Sequence, residues 1–499
     1  VNALGHAPQV IDLERLTLDS FAGQPVAVLG LARSGVALTR FLSARGARVT
    51  VYDARPAQQL EREIAQIDDR AARLMLGPQV DPRSALAGQA LVCTSPSISS
   101  RYPTTEPRLR AALADIEQAG VVPVVSEVDL FLRLCPAMTV GVTGTKGKTT
   151  TSTLIAAVLS AGQAPVVLGG NIGVPLVERL PELTPAHRVV VELSELQLPT
   201  LSRGTDVAVY THVTSDHLDR HGTIETYRAV KRRLAELLAV DGRLVLNAED
   251  PVSSGYEHAT SARPLFYRRG EPLAGGVGVR DGWAVAANVE LLHGDGAAMT
   301  GPGGRVLPLD EVQLPGAHNV SNVLAAVSVG LLFGLAPDAI RGAVAGFTGV
   351  EHRLERVAMI DGVEFINDSQ GTQPDAVIAA LRSFDPPIVL ISGGRSKNVA
   401  IDELSREVAQ RAAAVVVIGE TADEFTAAFA AAGANDIERA ADLETAVRRS
   451  NEIAQAHGGG TVLLSPAATS FDMFVDYAAR GNAFKDIVHR LAAERGGGS

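Results

Sequence analysis

The sequence predicts an α/β protein of three domains. Three strand–glycine turn–helix beginnings carry that prediction, near residues 24–53, 139–160 and 386–397. Offsets of about 110 and about 250 residues are too long for one short sheet, and a length prior of about 150 residues per domain gives the same count for 499 residues. "QPVAVLGLARSGVALTRFLSARGARVTVYDA" opens the chain with a strand, a glycine turn, an amphipathic helix and a second strand ending at Asp53. This is the βαβ start of a doubly wound nucleotide-binding domain. "TVGVTGTKGKTTTSTLI" opens the second unit, with a helix expected from Thr149. Residues 257–315, rich in glycine and short alternating runs, read as antiparallel hairpins appended to that unit. "PPIVLISGGRSK", "AAAVVVIGE" and "GGGTVLLSPAATS" continue the alternation in a third. The expected seams lie near Pro123–Ser126 and Gly346–Glu351.

Composition narrows the function. With 46% apolar and 20% charged residues the chain buries sizeable cores. A formal charge of −11, from 56 acidic and 45 basic residues, argues against general nucleic-acid binding through a basic surface. Cys93 and Cys135 form no disulfide framework and no zinc spacing, and read as core residues. No apolar run reaches the ~18 residues of a membrane span, and no basic-then-apolar leader opens the sequence, so a cytoplasmic location is expected.

Chemistry concentrates in the second unit. Gly144 and Gly147 let the backbone around Thr145 and Lys146 turn its N–H groups toward one point, and the helix start adds more. Lys148 supplies a point charge for β/γ-phosphates, and the Thr149 hydroxyl suits Mg²⁺. Val142 occupies the place of the first glycine in the strict phosphate-loop pattern. Glu192 ends the β-branched run "VVVE", where α/β enzymes expose ligands, and offers the hard oxygen Mg²⁺ prefers. "THVTSDHLDRHGT" packs Asp216, His217, Asp219 and His221 into one loop, and the amphipathic helix "YRAVKRRLAELL" carries Lys231. Taken singly, these are ordinary loop and surface residues. In the first unit Ala32 replaces the middle glycine that a dinucleotide pyrophosphate needs, which disfavours a nicotinamide-dependent oxidoreductase without removing it.

The ordered series "GVTGTKGKTT", "GGNIG", "ELSELQL", "SDHLDRH", "YRAVK", "GAHNVSN", "HRLE", "INDSQGT", "SGGRSK" and "LSPAATSFD" resembles the Mur ligases, ATP-dependent amide-forming enzymes of peptidoglycan precursor synthesis. The resemblance covers essentially the whole chain. It implies a Rossmann-like UDP-sugar domain at 1–125, a central P-loop ATPase-type domain with a small antiparallel sheet at 126–350, and a Rossmann-like amino-acid domain at 351–499. It further implies that ATP phosphorylates the alanine carboxylate of UDP-N-acetylmuramoyl-L-alanine and that glutamate's amine attacks the acyl phosphate. A cytoplasmic monomer without a nucleic-acid partner is expected.

Carried over by position, the resemblance gives the ATP phosphates to Gly144, Thr145, Lys146, Gly147, Lys148, Thr149 and Thr150. It gives two Mg²⁺ ions to Thr149, Glu192, His217 and Lys231, the last carbamylated, since a bare ammonium beside two cations is repelled while CO₂ addition makes it an oxygen ligand. Asn319 and Asn322 go to adenine, or serve as capping and surface polarity. Arg353 and Asp368 reach the nucleotide from the third domain. Leu31, Ala32, Arg33 and Ser34 line the diphosphate, with Asp53 and Arg55 near uracil, Ser95 in a second wall, and Asn171 near the reacting alanine. Thr372, Lys397, Ser470 and Tyr477 grip glutamate, although Ser470 equally suits the cap of a helix. Gln370, Glu195 and Leu196 depart from common family residues, which leaves acceptor details open. D-Glutamate is the expected acceptor and L-glutamate the alternative.

Overall fold

The computed structural model describes residues 10–67, 72–214, 221–294, 296–314, 316–396 and 400–496. They divide into two compact units at Phe347/Thr348.

The first unit holds two sheets. One is fully parallel, with order β3-β2-β1-β4-β5, from β1 (Pro25–Leu29), β2 (Arg48–Asp53), β3 (Ala72–Leu76), β4 (Leu91–Thr94) and β5 (Val124–Ser126). Strands buried on both faces are near-continuous runs of Val, Leu and Ala, which is why "PVAVL" and "LVCT" show little alternation. The order reverses between β1 and β4, so the crevice beyond their carboxyl ends is the natural ligand position. Helix Arg33–Ala44 follows β1, and a Cβ at Gly35 would overlap the Gly30 carbonyl oxygen, so the helix packs against the turn only because residue 35 is glycine.

The other sheet has nine strands in the order β14-β13-β12-β11-β10-β9-β6-β8-β7. They are β6 (Met138–Thr143), β7 (Val166–Gly170), β8 (Arg188–Glu192), β9 (Val207–Tyr210), β10 (Arg243–Asn247), β11 (Arg263–Tyr267), β12 (Val277–Arg280), β13 (Trp283–Ala286) and β14 (Arg305–Pro308). The hairpins expected at 257–315 form no separate sheet. A single parallel pairing of Tyr267 with Val277 joins them to the parallel strands, and β12, β13 and β14 run antiparallel at the edge.

One apolar cluster spans both sheets, from Ile11 and Phe41 through Phe131 and Val191 to Leu246. Each such side chain contributes about 1.5–3 kcal/mol on burial. Polar ties add to it: Asp129 accepts from the Ser202 amide at 2.7 Å, and Tyr102 donates to the Leu196 carbonyl at 2.7 Å.

The second unit is a six-stranded sheet ordered β15-β16-β20-β17-β18-β19. Its strands are β15 (Glu355–Ile360), β16 (Val363–Asn367), β17 (Ile388–Gly393), β18 (Ala412–Ile418), β19 (Ile437–Arg439) and β20 (Gly460–Leu464). Only β15 runs antiparallel to its neighbour. Alternate residues feed two cores: Val389, Val416 and Phe484 on one face, Leu390, Val415 and Phe429 on the other. Cys93 is buried on β4, while Cys135 is only half-buried. Among the described residues no helix is long and apolar enough to cross a membrane.

Candidate active site

At the end of β6 the chain turns into helix Lys148–Ser160, which begins one residue before the expected Thr149. Gly147 is its N-cap at φ +84°, and no side chain there satisfies the first-turn N–H groups. A Cβ at this position would stand 2.9 Å from Asn322 Oδ1. Lys148 folds over the turn, donating to the Thr145 carbonyl at 2.9 Å. The buried Thr145 hydroxyl lies 3.0 Å from the Tyr227 hydroxyl and accepts from the Thr214 amide at 3.0 Å. Lys146 is exposed, and its carbonyl accepts from Thr211 Oγ1 at 2.6 Å. Thr149 is buried and Thr150 half-buried.

Three further elements meet this turn. Glu192, the last residue of β8, is 1% exposed. Its Oε1 accepts from Asn171 Nδ2 at 2.9 Å, whereas Oε2 is shut from solvent and has no hydrogen-bond partner among the described residues. A buried carboxylate oxygen left unmatched is costly, and a hard cation would resolve it. Lys231, on helix Ile224–Glu236, is fully buried; its Nζ lies 3.4 Å from Thr143 Oγ1 and 5.5 Å from the Tyr227 ring centre. On helix Ala317–Leu332, Asn322 donates to Asn319 at 2.9 Å and accepts from Thr151 Oγ1 at 3.1 Å. The asparagine pair is therefore buried against the helix of the phosphate turn rather than capping its own.

At the carboxyl ends of β1 and β2, Asp53 Oδ2 accepts from the Leu31 amide at 2.8 Å. Arg55 approaches the same carboxylate through its amide, Nε and Nη2 at 2.9, 3.0 and 2.7 Å. Burial raises the Asp53 pKa, but the hydrogen bonds from Arg55 and Leu31 outweigh it and hold the group below the ordinary carboxylate value. Both oxygens are thus engaged by the protein, and the Arg55 side chain is the more exposed of the pair. Ala32 is an exposed N-cap, Ser34 lies in the first helical turn, and Ser95 Oγ is 3.4 Å from the Gly30 carbonyl. Arg33 reaches across to the second sheet, donating to the Gly173 carbonyl at 3.0 Å and the Asn171 carbonyl at 3.4 Å.

In the second unit Asp368 is buried at the end of β16, accepting from Ser465 Oγ at 2.6 Å and the Leu354 amide at 3.2 Å. Burial pushes its carboxyl up to about 6, against the Ser465 and Leu354 hydrogen bonds and the Arg353 charge. Arg353 is exposed. Arg480, fully buried on helix Tyr477–Gly496, ties two loops together: it donates to Ser369 Oγ and the Ser369 carbonyl, each at 3.0 Å, and to the Ala468 carbonyl at 3.3 Å. Thr372 and Ser470 belong to those same loops. Ser470 caps no helix; its carbonyl accepts from the Met473 and Phe474 amides in a turn, and the helix begins only at Tyr477.

The family model of the Mur ligase middle domain matches residues 142–330, and that of the Mur ligase glutamate ligase domain matches 352–468. The UDP-N-acetylmuramoylalanine–D-glutamate ligase of Symbiobacterium thermophilum is 39% identical over 93% of this chain and 98% of that protein. The protein of the same name from Pelotomaculum thermopropionicum is 38% identical over 95% and 99%. The chain belongs to the Mur ligase family. Solved Mur ligases share the fold at low identity. UDP-N-acetylmuramate-alanine ligase MurC from Thermotoga maritima has 17% identity and a TM-score of 0.53 over 94% of this chain and 100% of that one. MurF from Acinetobacter baumannii has 17% identity and a TM-score of 0.51 over 88% and 99%.

Within this Mur ligase the first unit gathers the glycine turn at 144–147, Glu192, Asn171, Lys231 and the asparagine pair. The second gathers Asp368, Thr372, Ser470 and Tyr477, whose carbonyl accepts from Ser369 Oγ at 2.7 Å. His217 and Lys397 lie outside the described residues. Sequence reading passed over Thr143, Tyr227 and Arg480. Tyr227 left a signal, since it precedes Lys231 by four residues and so shares its helical face.

Proposed function

We propose that this Mur ligase joins the L-alanine carboxylate of UDP-N-acetylmuramoyl-L-alanine to the amine of D-glutamate, with cleavage of ATP to ADP and phosphate. The observation that carries the reading is the buried Glu192 Oε2, which has no hydrogen-bond partner among the described residues and stands beside a phosphate-binding turn. An anionic nucleotide with its divalent ions is the ligand such a site lacks. Near-full-length similarity to proteins named as D-glutamate ligases supports the choice of substrates.

A carboxylate is a poor electrophile, so activation must precede amide formation. A carboxylate oxygen attacks the γ-phosphorus, the bond to the β-phosphate oxygen breaks, and ADP leaves. The amine then adds to the acyl carbon of the resulting acyl phosphate, and the tetrahedral species expels inorganic phosphate as the nitrogen gives up its proton. The amides from Gly144 to Thr150, with Lys148, hold the triphosphate in line for the first step. Asn171 presents the alanine end of the UDP-sugar substrate. Thr149, Glu192, His217 and a carbamylated Lys231 would hold two Mg²⁺ ions, whose charge offsets repulsion between triphosphate and carboxylate. Asn319 and Asn322 take adenine, with Arg353 and Asp368 contributing to nucleotide binding. Leu31 to Ser34, Arg55 and Ser95 line the UDP-sugar crevice. Thr372, Lys397, Ser470 and Tyr477 take glutamate.

Residues 1–125, 126–350 and 351–499 are assigned to the UDP-sugar, ATP and amino acid in turn, in a cytoplasmic monomer. The test is phosphate release from ATP with UDP-N-acetylmuramoyl-L-alanine, comparing D-glutamate, L-glutamate and other amino acids side by side. Release with D-glutamate, matched by one new amide per phosphate, is expected. Release with L-glutamate alone would reverse the stereochemical assignment, and silence with every amino acid would end the ligase reading.

A further inference from the structure

Glu127 is a buried carboxylate that the proposed chemistry does not use. It is 2% exposed, in the first turn of helix Glu127–Leu134, directly after β5. Its Oε1 accepts from the Val177 amide at 3.2 Å, in the 3₁₀ segment Leu176–Glu182 that follows β7. Between β7 and that segment runs the turn carrying Asn171. Arg33 holds the same turn by the Asn171 and Gly173 carbonyls. Asn171 in turn binds Glu192 twice, amide to carbonyl and Nδ2 to Oε1, both at 2.9 Å. Two residues from the first sheet's side, one acidic and one basic, therefore grip the turn that sets Asn171 against Glu192.

We propose that Glu127 is a positioning residue for the ligase reaction, anchoring the 171–177 segment so that Asn171 and Glu192 keep their mutual geometry when the UDP-sugar substrate binds. This rests on the ligase reading given above. An ionised Glu127 accepts charge-assisted hydrogen bonds, stronger than those of the neutral acid. Burial pushes the carboxyl up to about 7, opposed by the Val177 amide, the charge of Arg33 and the Leu176 amide; Glu178 adds repulsion. Glu178 is itself paired with Arg40 at 3.1 Å, and Asp129 on Glu127's own helix with Arg133 at 3.2 Å. The anchor accordingly tightens as pH rises through neutrality.

The experiment compares wild type, E127Q and E127A in phosphate release between pH 6 and 8.5, with amide hydrogen exchange over 171–177 measured on the same proteins. For wild type, kcat/KM toward UDP-N-acetylmuramoyl-L-alanine is expected to rise about three- to tenfold through pH 7. E127Q, which keeps the shape and an acceptor oxygen, should lose that rise and stay near the wild-type acidic level. E127A should lose about tenfold or more at every pH, with ATP affinity unchanged and faster exchange at Val177. An E127Q profile that tracks wild type, or an E127A enzyme with wild-type kcat/KM, overturns the proposal. If E127A fails to fold, the E127Q pH profile alone decides. Wild-type protein that releases no phosphate with any amino acid removes the ligase reading instead, and the exchange data then judge the anchor independently.

Discussion

Gly147→Ala tests the phosphate turn quantitatively. Gly147 sits at φ +84°, where an alanine costs about 1–2 kcal/mol. Its new Cβ would lie 2.9 Å from Asn322 Oδ1, closer than real Cβ contacts come, so Asn322 must withdraw by several tenths of an ångström. That withdrawal weakens the 3.1 Å bond from Thr151, worth about 0.5–1.5 kcal/mol. Together the two effects cost about 1.5–3.5 kcal/mol. If the free loop relaxes out of the left-handed region, the cost appears as about 10- to 400-fold weaker ATP binding; if it cannot relax, the same energy is lost from folding stability. Isothermal titration with ATP, combined with denaturant unfolding of the same protein, captures both routes. Gly282→Ala is the matched control. Residue 282 is at φ +75° with open space around its Cβ position, in the turn between β12 and β13, so it should lose about 1 kcal/mol of stability and no ATP affinity. A Gly147→Ala protein with both ATP affinity and stability at wild-type levels would refute the reasoning.

Three other outcomes are expected. Lys231→Ala should abolish phosphate release and regain part of it with added short carboxylic acids or high chloride, while persistent inactivity would count against carbamylation. Arg480→Met leaves the Ser369 and Ala468 carbonyls without their donor and should destabilise the second unit by about 2–4 kcal/mol, read from its denaturant midpoint; an unchanged midpoint would show that the two loops hold without it. Asp368 is raised to about 6 from 3.8, so the folded protein keeps a proton that the unfolded chain releases. Its contribution is fully present below pH 4 and is lost as pH rises to about 6, an effect on the order of 3 kcal/mol. Asp368→Asn should flatten that part of the pH–stability curve, and a curve that keeps its slope would refute the assignment.

What was legible in the sequence was local. A β-branched run, a glycine turn and a helix announce themselves within thirty residues, so the three βα beginnings and the position of Glu192 at a strand end could be read directly. Contacts between distant segments could not. Lys231 meets Thr143 across 88 positions, and no periodicity foretells that a lysine in "YRAVKRRL" is as fully buried as its leucine. Asp53 is expected near uracil, yet Leu31 and Arg55 already occupy its oxygens. Glu127 stands in a first helical turn, where an acid is usually solvated, yet it is 2% exposed. The joining of hairpin to parallel sheet depends on the single Tyr267–Val277 pair, too small a signal to stand out from its neighbours.

The apolar cluster that runs without a break from Ile11 to Ala262 sets where relatives can be recombined. A chimaera spliced near residue 126 would bring together two half-cores that never evolved against each other, and mismatched side chains would meet along the whole seam. A splice at 347/348 cuts the backbone where the two compact units divide and leaves each core with its native neighbours. Chimaeras between family members are therefore best built by transplanting the last 152 residues as a block.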